Sequence, residues 1–158
     1  MRGAVLLAGV LLAQLLCATA DFPLSQELFI APDRGMRYAA FATSGNRICI
    51  GGGNYIEANG GATIETSDVL VLDTAAMKWQ PKLQLSMKRS KLAAAAVGNL
   101  VVFAGGFFGG QPQTRVDVFN LDAGAAPPQT LELGMQSSSL AAATVQNRVI
   151  FAGCENAF

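Results

Sequence analysis

Three segments of the chain begin with asparagine and then read almost alike. They are NRICIGGG from Asn46, NLVVFAGG from Asn99 and NRVIFAGC from Asn147. The first two start 53 residues apart and the last two 48 residues apart. A recurrence near 50 residues indicates a repeat architecture, in which similar units stack and the loops between strands differ. Such a scaffold is rigid, so its function must be sought in its loops.

Each unit has the same order of parts around this segment. A run of small residues comes first, then a turn containing Asn, then an apolar run that ends in glycine. Asn and Gly tolerate the positive φ angles of tight hairpin turns, so the two runs are predicted to form antiparallel strands. The predicted first strands span 38–43, 92–97 and 140–145, and the second strands span 47–50, 100–104 and 148–152.

Two further strands are predicted in each complete unit. The third strands span 67–73 and 116–122, and the amphipathic fourth strands span 78–83 and 129–133. Four short strands in a unit of about 50 residues are typical of a propeller blade. The predicted fold class is therefore all-β, built from four-stranded antiparallel blades.

The repeats resemble kelch repeats. Arg89 stands 16 residues before Gly105, as in that family's pattern, and Phe119 and Asp122 follow; the first repeat has the glycines, Trp79 and Met87. Repeat two lacks the tryptophan, and in repeat three Ser137 and Cys154 replace an arginine and a glycine. The resemblance implies kelch repeats at 37–88 and 89–136 and a partial repeat at 137–158.

Kelch propellers usually close with five to seven blades, whereas this sequence supplies about two and a half. We therefore expect a fragment or an incomplete propeller with exposed strand edges. Residues 21–36 form an N-terminal segment, in which 26–30 could be an outer strand of a closing blade.

Residues 1–20 are predicted to be a signal peptide. Arg2 is followed by an apolar run of about 15 residues and then by small residues at 18–20. No second apolar stretch of spanning length follows, so the mature chain is expected to be secreted without a membrane span. Cys49 and Cys154 would remain, either as two buried thiols or as a disulfide.

The composition argues against several classes of function. Eleven Lys and Arg balance eleven Asp and Glu with no basic run, so no nucleic-acid partner is expected. The absence of histidine removes the commonest general base and neutral metal ligand. No lysine and helix follow the glycine runs, which disfavours phosphate binding. No catalytic residue, metal site or cofactor is therefore predicted.

The loops between second and third strands are the longest, and they share one end of the blades. They contain the candidate binding residues Tyr55, Glu57, Phe107 and Phe108, with Arg115 at the exit of the second loop. Aromatic residues and arginine are common interface anchors, although Phe107 and Phe108 could instead tuck between blades. Structural roles are predicted for Trp79 and for six glycines: Gly51, Gly52, Gly53, Gly105, Gly106 and Gly153. Asp68, Asp73, Asp117 and Asp122 are interpreted as local turn acceptors.

These features favour a secreted, non-catalytic binding module with a protein or carbohydrate ligand. An alternative, implied by the family resemblance, is the N-terminal part of a propeller enzyme similar to galactose oxidase or a sugar epimerase. Its active site would then lie outside this chain, because copper ligation in such oxidases requires histidine.

Overall fold

The computed structural model describes residues 36–57 and 61–153 of the 158-residue chain. The predicted signal peptide, the segment 26–30 and Cys154 lie outside the described residues. In the described part the regular structure consists of fourteen strands and one short 3-10 helix. All pairings between these strands are antiparallel, which confirms the all-β prediction.

The first blade is a five-stranded sheet with a small separate hairpin. Its sheet has the order β1-β2-β5-β6, and β7 also pairs with β5, so that the outer strand is split into two short pieces around Pro81. Proline lacks the N–H that a continuous strand would need there. The strands are β1 (Ala40–Ser44), β2 (Arg47–Gly51), the hairpin β3 (Asn54–Ile56) and β4 (Thr63–Glu65), β5 (Asp68–Asp73), β6 (Lys78–Trp79) and β7 (Leu83–Gln84).

The second blade repeats this order with a longer third strand. Its sheet has the order β10-β11-β9-β8, and β12 pairs with the other edge of β11. Its elements are β8 (Ala93–Val97), β9 (Leu100–Ala104), β10 (Phe107–Phe108), β11 (Gln111–Asn120), the 3-10 helix (Leu121–Ala123) and β12 (Gln129–Ser137). A third unit contributes the hairpin β13 (Ala141–Val145) and β14 (Arg148–Ala152).

The structure confirms the predicted hairpins and moves several strand boundaries. The first strand begins at Ala40, because Tyr38 has a left-handed backbone with φ 56° that no strand accommodates. The third strand of the second blade starts earlier than predicted, at Gln111, because it pairs with β10. It ends at Asn120, whose side chain accepts a hydrogen bond from the N–H of Asp122 and begins the 3-10 helix.

The core lies between the first and second blades. Small residues on one face of the first blade, such as Ala42 and Cys49, belong to the same buried cluster as Phe103 and Phe119 of the second blade. The two phenylalanine rings meet edge to face at 6.0 Å. Burial of each such ring stabilises the fold by roughly 1.5–3 kcal/mol. Alanine in β8 therefore forms strand rather than helix, because this tight packing overrides its local propensity.

Glycine at the end of the second strand lets each blade approach the segment that leads into the next. A Cβ on Gly52 would lie 2.5 Å from the carbonyl oxygen of Arg89, and one on Gly105 would lie 2.5 Å from that of Ser137. The next glycine donates to the same oxygen in both places, from Gly53 to Arg89 and from Gly106 to Ser137, each at 2.9 Å. Among the six glycines with a predicted structural role, only Gly153 has no atom closer than 3.6 Å to its Cβ position.

Cys49 is a buried free thiol. Burial raises its pKa to about 11, and the nearby Arg47 opposes the shift. The choice between a thiol and a disulfide is thus resolved for Cys49 in favour of the thiol.

Replacing Gly105 with valine should destabilise the protein more than replacing Gly109. Both glycines have positive φ, 63° and 60°, so each variant incurs backbone strain of about 1–2 kcal/mol. Only Gly105 approaches another backbone, whereas no atom lies within 4 Å of the Cβ position of Gly109. We expect Gly105→Val to lose about 1–3 kcal/mol more in urea unfolding, from overpacking. Equal losses would contradict the close approach.

Cys49 should resist alkylation in the folded protein. Because the pKa of Cys49 is about 11, little of the reactive thiolate is present at neutral pH, and the buried sulfur is inaccessible to the reagent. Since the folded pKa is raised above 9.0, the associated stability is present below pH 9 and falls as the pH rises towards 11. Iodoacetamide labelling at pH 8, followed by peptide mass spectrometry with and without urea, measures this. Equally fast labelling of Cys49 in both would refute it.

Candidate functional site

The loops of both complete blades meet at one end, called the loop end here. First and second strands are antiparallel, so the start of β1 pairs with the end of β2 and the start of β8 with the end of β9. The loops after β2 and β9 therefore lie beside the linker, residues 85–92, that leads into β8. Backbone hydrogen bonds join the linker to the second loop, between Ser90 and Phe107.

An open depression of about 410 Å³ lies at the loop end, where the chain enters the first strands of the units. Its lining contains Tyr38, Lys91 and Ser139, each of which stands two residues before the first strand of its unit. All three have left-handed backbones, with φ of 56°, 53° and 55°. Non-glycine residues rarely adopt this conformation. The repeat therefore places three equivalent, strained residues around this depression.

Hydrogen bonds between these residues link the units in series. The N–H of Lys91 donates to the carbonyl of Tyr38, and the N–H of Ser139 donates to the carbonyl of Lys91, each at 2.9 Å. Both bonds use backbone atoms, so the links between the units do not depend on which side chains stand at these positions. The Tyr38 side chain is 62% exposed, more than any other large apolar side chain in the described part of the chain.

The predicted residues Phe107 and Phe108 adjoin the linker. Both lie in β10 and are half-buried. The ammonium of Lys91 stands 5.2 Å from the centre of the Phe107 ring, and that of Lys88 stands 5.4 Å from the Phe108 ring. Such cation–π contacts hold a lysine side chain in place by about 0.5–1 kcal/mol when exposed. The two rings thus position two positive charges at the loop end, and one of them, on Lys91, lies at the depression.

Tyr55 and Glu57 belong to the small hairpin of the first blade. Tyr55 lies in β3 opposite Ile64, and Glu57 is exposed just after that strand. The hairpin is fastened to the linker, since Ser90 Oγ donates to Glu65 Oε1 at 3.2 Å. The structure therefore brings the two predicted loops to the same end of neighbouring blades.

Arg115 does not share this arrangement. Its guanidinium forms an ion pair with Glu132 at 3.1 Å across β11 and β12. This contact lies on the outer side of the second blade, because β12 is the outer strand. Trp79 lies half-buried in β6 opposite Leu72. Roles for both residues stay predictions.

The linker is anchored by a buried ion pair. Arg89 and Asp117 are both fully buried, and Arg89 Nη2 lies 2.8 Å from Asp117 Oδ2. The same nitrogen donates to the carbonyl of Phe103 at 3.4 Å, and Asp117 Oδ2 also accepts from the N–H of Ser86. Asp117 was interpreted from sequence as a local turn acceptor, which is wrong because it pairs with a side chain 28 residues away. Asp73 does act as a turn acceptor, for the N–H groups of residues 75 and 76.

The ion pair is incompletely hydrogen-bonded. Within the described residues, Arg89 Nε, Arg89 Nη1 and Asp117 Oδ1 have no hydrogen-bond partner. Burial lowers the pKa of Arg89 below its ordinary value, and the adjacent Asp117 carboxylate opposes that shift. Either side chain would therefore be a costly isolated charge without the other.

Sequence reasoning missed the role of Tyr38, Lys91 and Ser139. Their spacings of 53 and 48 residues match those of the three asparagines, so the repeat itself carried the signal. Each also precedes a run of small residues by the same distance. Their backbone conformation could not be predicted from the sequence, because neither Tyr nor Lys favours positive φ.

In residues 36–57 and 61–153, no group of three or more Cys, Asp and Glu side chains is arranged to hold a metal ion. The same residues include no helix with the length and apolar character of a membrane span.

The comparison with solved structures identifies the fold. The chain matches YjhT, a kelch-repeat propeller protein, with a TM-score of 0.67 at 20% sequence identity. The blades of this chain have the kelch propeller fold. The match covers 84% of the chain but 42% of YjhT, so the chain spans less than half of that propeller. No family model and no curated protein matches the sequence.

Removing one partner of the buried ion pair should strongly destabilise the second blade. Arg89→Met and Asp117→Asn should each lower the free energy of unfolding by about 3–5 kcal/mol, because each leaves an isolated buried group. The double variant should lose clearly less than the sum. Arg115→Gln, which breaks an exposed pair, is the matched control and should lose less than about 1 kcal/mol. Strictly additive losses in urea titrations would show that the pair is not coupled.

Proposed function

We propose that the chain is a non-catalytic binding module whose loop end holds a protein or carbohydrate ligand. The observation that carries the proposal is the set of three left-handed residues around the depression. The fold demands positive φ at this position of each unit, and glycine would supply it without strain. Tyr38, Lys91 and Ser139 stand there instead, at a cost of order 1–3 kcal/mol each.

Strain that persists in a fold often accompanies a function of the strained side chains. Here the three residues line one open depression, and the ammonium of Lys91 stands over the Phe107 ring. The neighbouring pair of Lys88 and Phe108 lies where the same linker meets β10. A rigid set of strands that presents side chains from several loops is well suited to recognition. The predicted secretion would place such a surface outside the cell.

The enzyme alternative stays a prediction from the sequence. The structural likeness to YjhT supports the fold that both functions share and does not distinguish between them.

Glycine substitutions separate binding from folding at this site. Tyr38→Gly and Lys91→Gly remove the side chain and relieve the strained φ, so unfolding free energies should stay within about 1 kcal/mol of wild type. Ligands selected by the 158-residue protein from a glycan array or a peptide library should bind each variant about tenfold more weakly.

Gln146→Gly is the matched control for this experiment. Gln146 also has positive φ, at 53°, but it lies in the hairpin turn at the opposite end of the third unit. Its replacement should leave both stability and binding unchanged. Ligands that bind Tyr38→Gly and Lys91→Gly as tightly as wild type would locate the site elsewhere, and selection of no ligand would contradict the proposal.

A further inference from the structure

Basic side chains at the loop end lack carboxylate partners. Among the described residues, ion pairs involve Arg47, Lys82, Arg89 and Arg115. Arg37, Lys88 and Lys91 form none, and all three lie in the segments that lead into the first and second blades. Among the described residues, the carboxylates of Glu57 and Glu65 share this end, and that of Glu65 accepts a hydrogen bond from Ser90. Three basic side chains therefore outnumber two carboxylates in the described part of the loop end.

The two lysines are held in place rather than free to find a partner. Each ammonium stands over a half-buried phenylalanine ring, and the residue between them, Arg89, is fixed by its buried ion pair. Cations that are oriented in advance lose less conformational entropy when an anion binds. Their arrangement thus favours a ligand with carboxylate, phosphate or sulfate groups.

Apolar groups next to these cations narrow the class of ligand. Tyr38 is 62% exposed and Ile56 44% exposed, and Phe107 and Phe108 are half-buried. Among the described residues that line the depression, Tyr38, Lys91 and Ser139 have polar side chains, whereas Ala39 and Leu92 are apolar. A polysaccharide needs many hydrogen-bonding partners, whereas a protein segment can bury apolar side chains beside an ionic contact.

We propose that the loop end binds an extended acidic segment of a partner protein, in which carboxylates contact Lys88, Lys91 and Arg37 and apolar side chains cover Tyr38 and Ile56. The inference rests on the proposed binding function and names the ligand class. Lys88 and Lys91 supply the charge, and Phe107 and Phe108 act as positioning residues through them.

The test is selection of random displayed peptides of about a dozen residues on the 158-residue protein. Peptides enriched by wild type should contain more Asp and Glu than the starting library. A selected peptide should bind Lys88→Gln and Lys91→Gln each about tenfold more weakly in fluorescence polarisation. Raising NaCl from about 0.05 M to about 0.5 M should weaken binding by screening.

Two variants control for charge and position. Lys78→Gln removes the same charge from an exposed lysine in β6 and should leave peptide affinity unchanged. Phe107→Leu keeps the apolar volume but removes the ring beneath Lys91, so affinity should fall about two- to fivefold. Lys91→Gln combined with Phe107→Leu should then be no weaker than Lys91→Gln alone.

The possible failures are distinguishable. Selected peptides that lack acidic enrichment, and bind the lysine variants normally but Tyr38→Gly poorly, would overturn the charge assignment and leave the binding site intact. Binding of heparin but of no peptide, with the same lysine dependence, would replace the protein segment by a sulfated polysaccharide. Binding of neither, on peptide or glycan surfaces, would overturn the binding function itself.

Discussion

The buried pair of Arg89 and Asp117 holds the linker against the second blade, and the loop end depends on that linker. Arg89 belongs to the linker and Asp117 to β11, the third strand of the blade. Their ion pair therefore fixes the position of the linker relative to that strand. The residues next to Arg89 form the loop end. Lys88 contacts the Phe108 ring, Ser90 donates to Glu65 of the small hairpin, and Lys91 lines the depression. A buried arginine can therefore set the geometry of a surface that it never reaches.

The third unit shows which part of this arrangement the fold requires. Ser137 occupies the position equivalent to Arg89, yet its carbonyl still accepts from Gly106 at 2.9 Å, as that of Arg89 does from Gly53. The link between units is thus made by backbone atoms and by glycines that allow close approach. Because the side chain at this position is not needed for that link, the ion pair of Arg89 and Asp117 contributes something further in the second blade. A role in positioning the linker explains why so costly a pair is present there.

Features set by neighbouring residues could be predicted from the sequence, whereas features set by contacts between distant residues could not. Hairpins followed from Gly98-Asn99 and its equivalents, because turn residues act on their own backbone. The β3–β4 hairpin and β10 were read only as variable loops, since two- and three-residue strands have no periodicity to detect. Asp117 was misread because its partner is distant in sequence. The candidate phenylalanines were found by residue type, but the lysines over them depend on tertiary packing.

Lys91 belongs both to the strained residues around the depression and to the unpaired cations of the loop end. Lys91 has a backbone conformation that glycine would adopt more readily, and it carries a charge that no described carboxylate neutralises. The links from Lys91 to Tyr38 and Ser139 use the backbone alone, and the charge contacts the Phe107 ring at 5.2 Å. Selection for stability would favour glycine at that position. A contact with a partner outside the chain would account for a lysine at this strained position, and the proposed acidic segment would supply that contact.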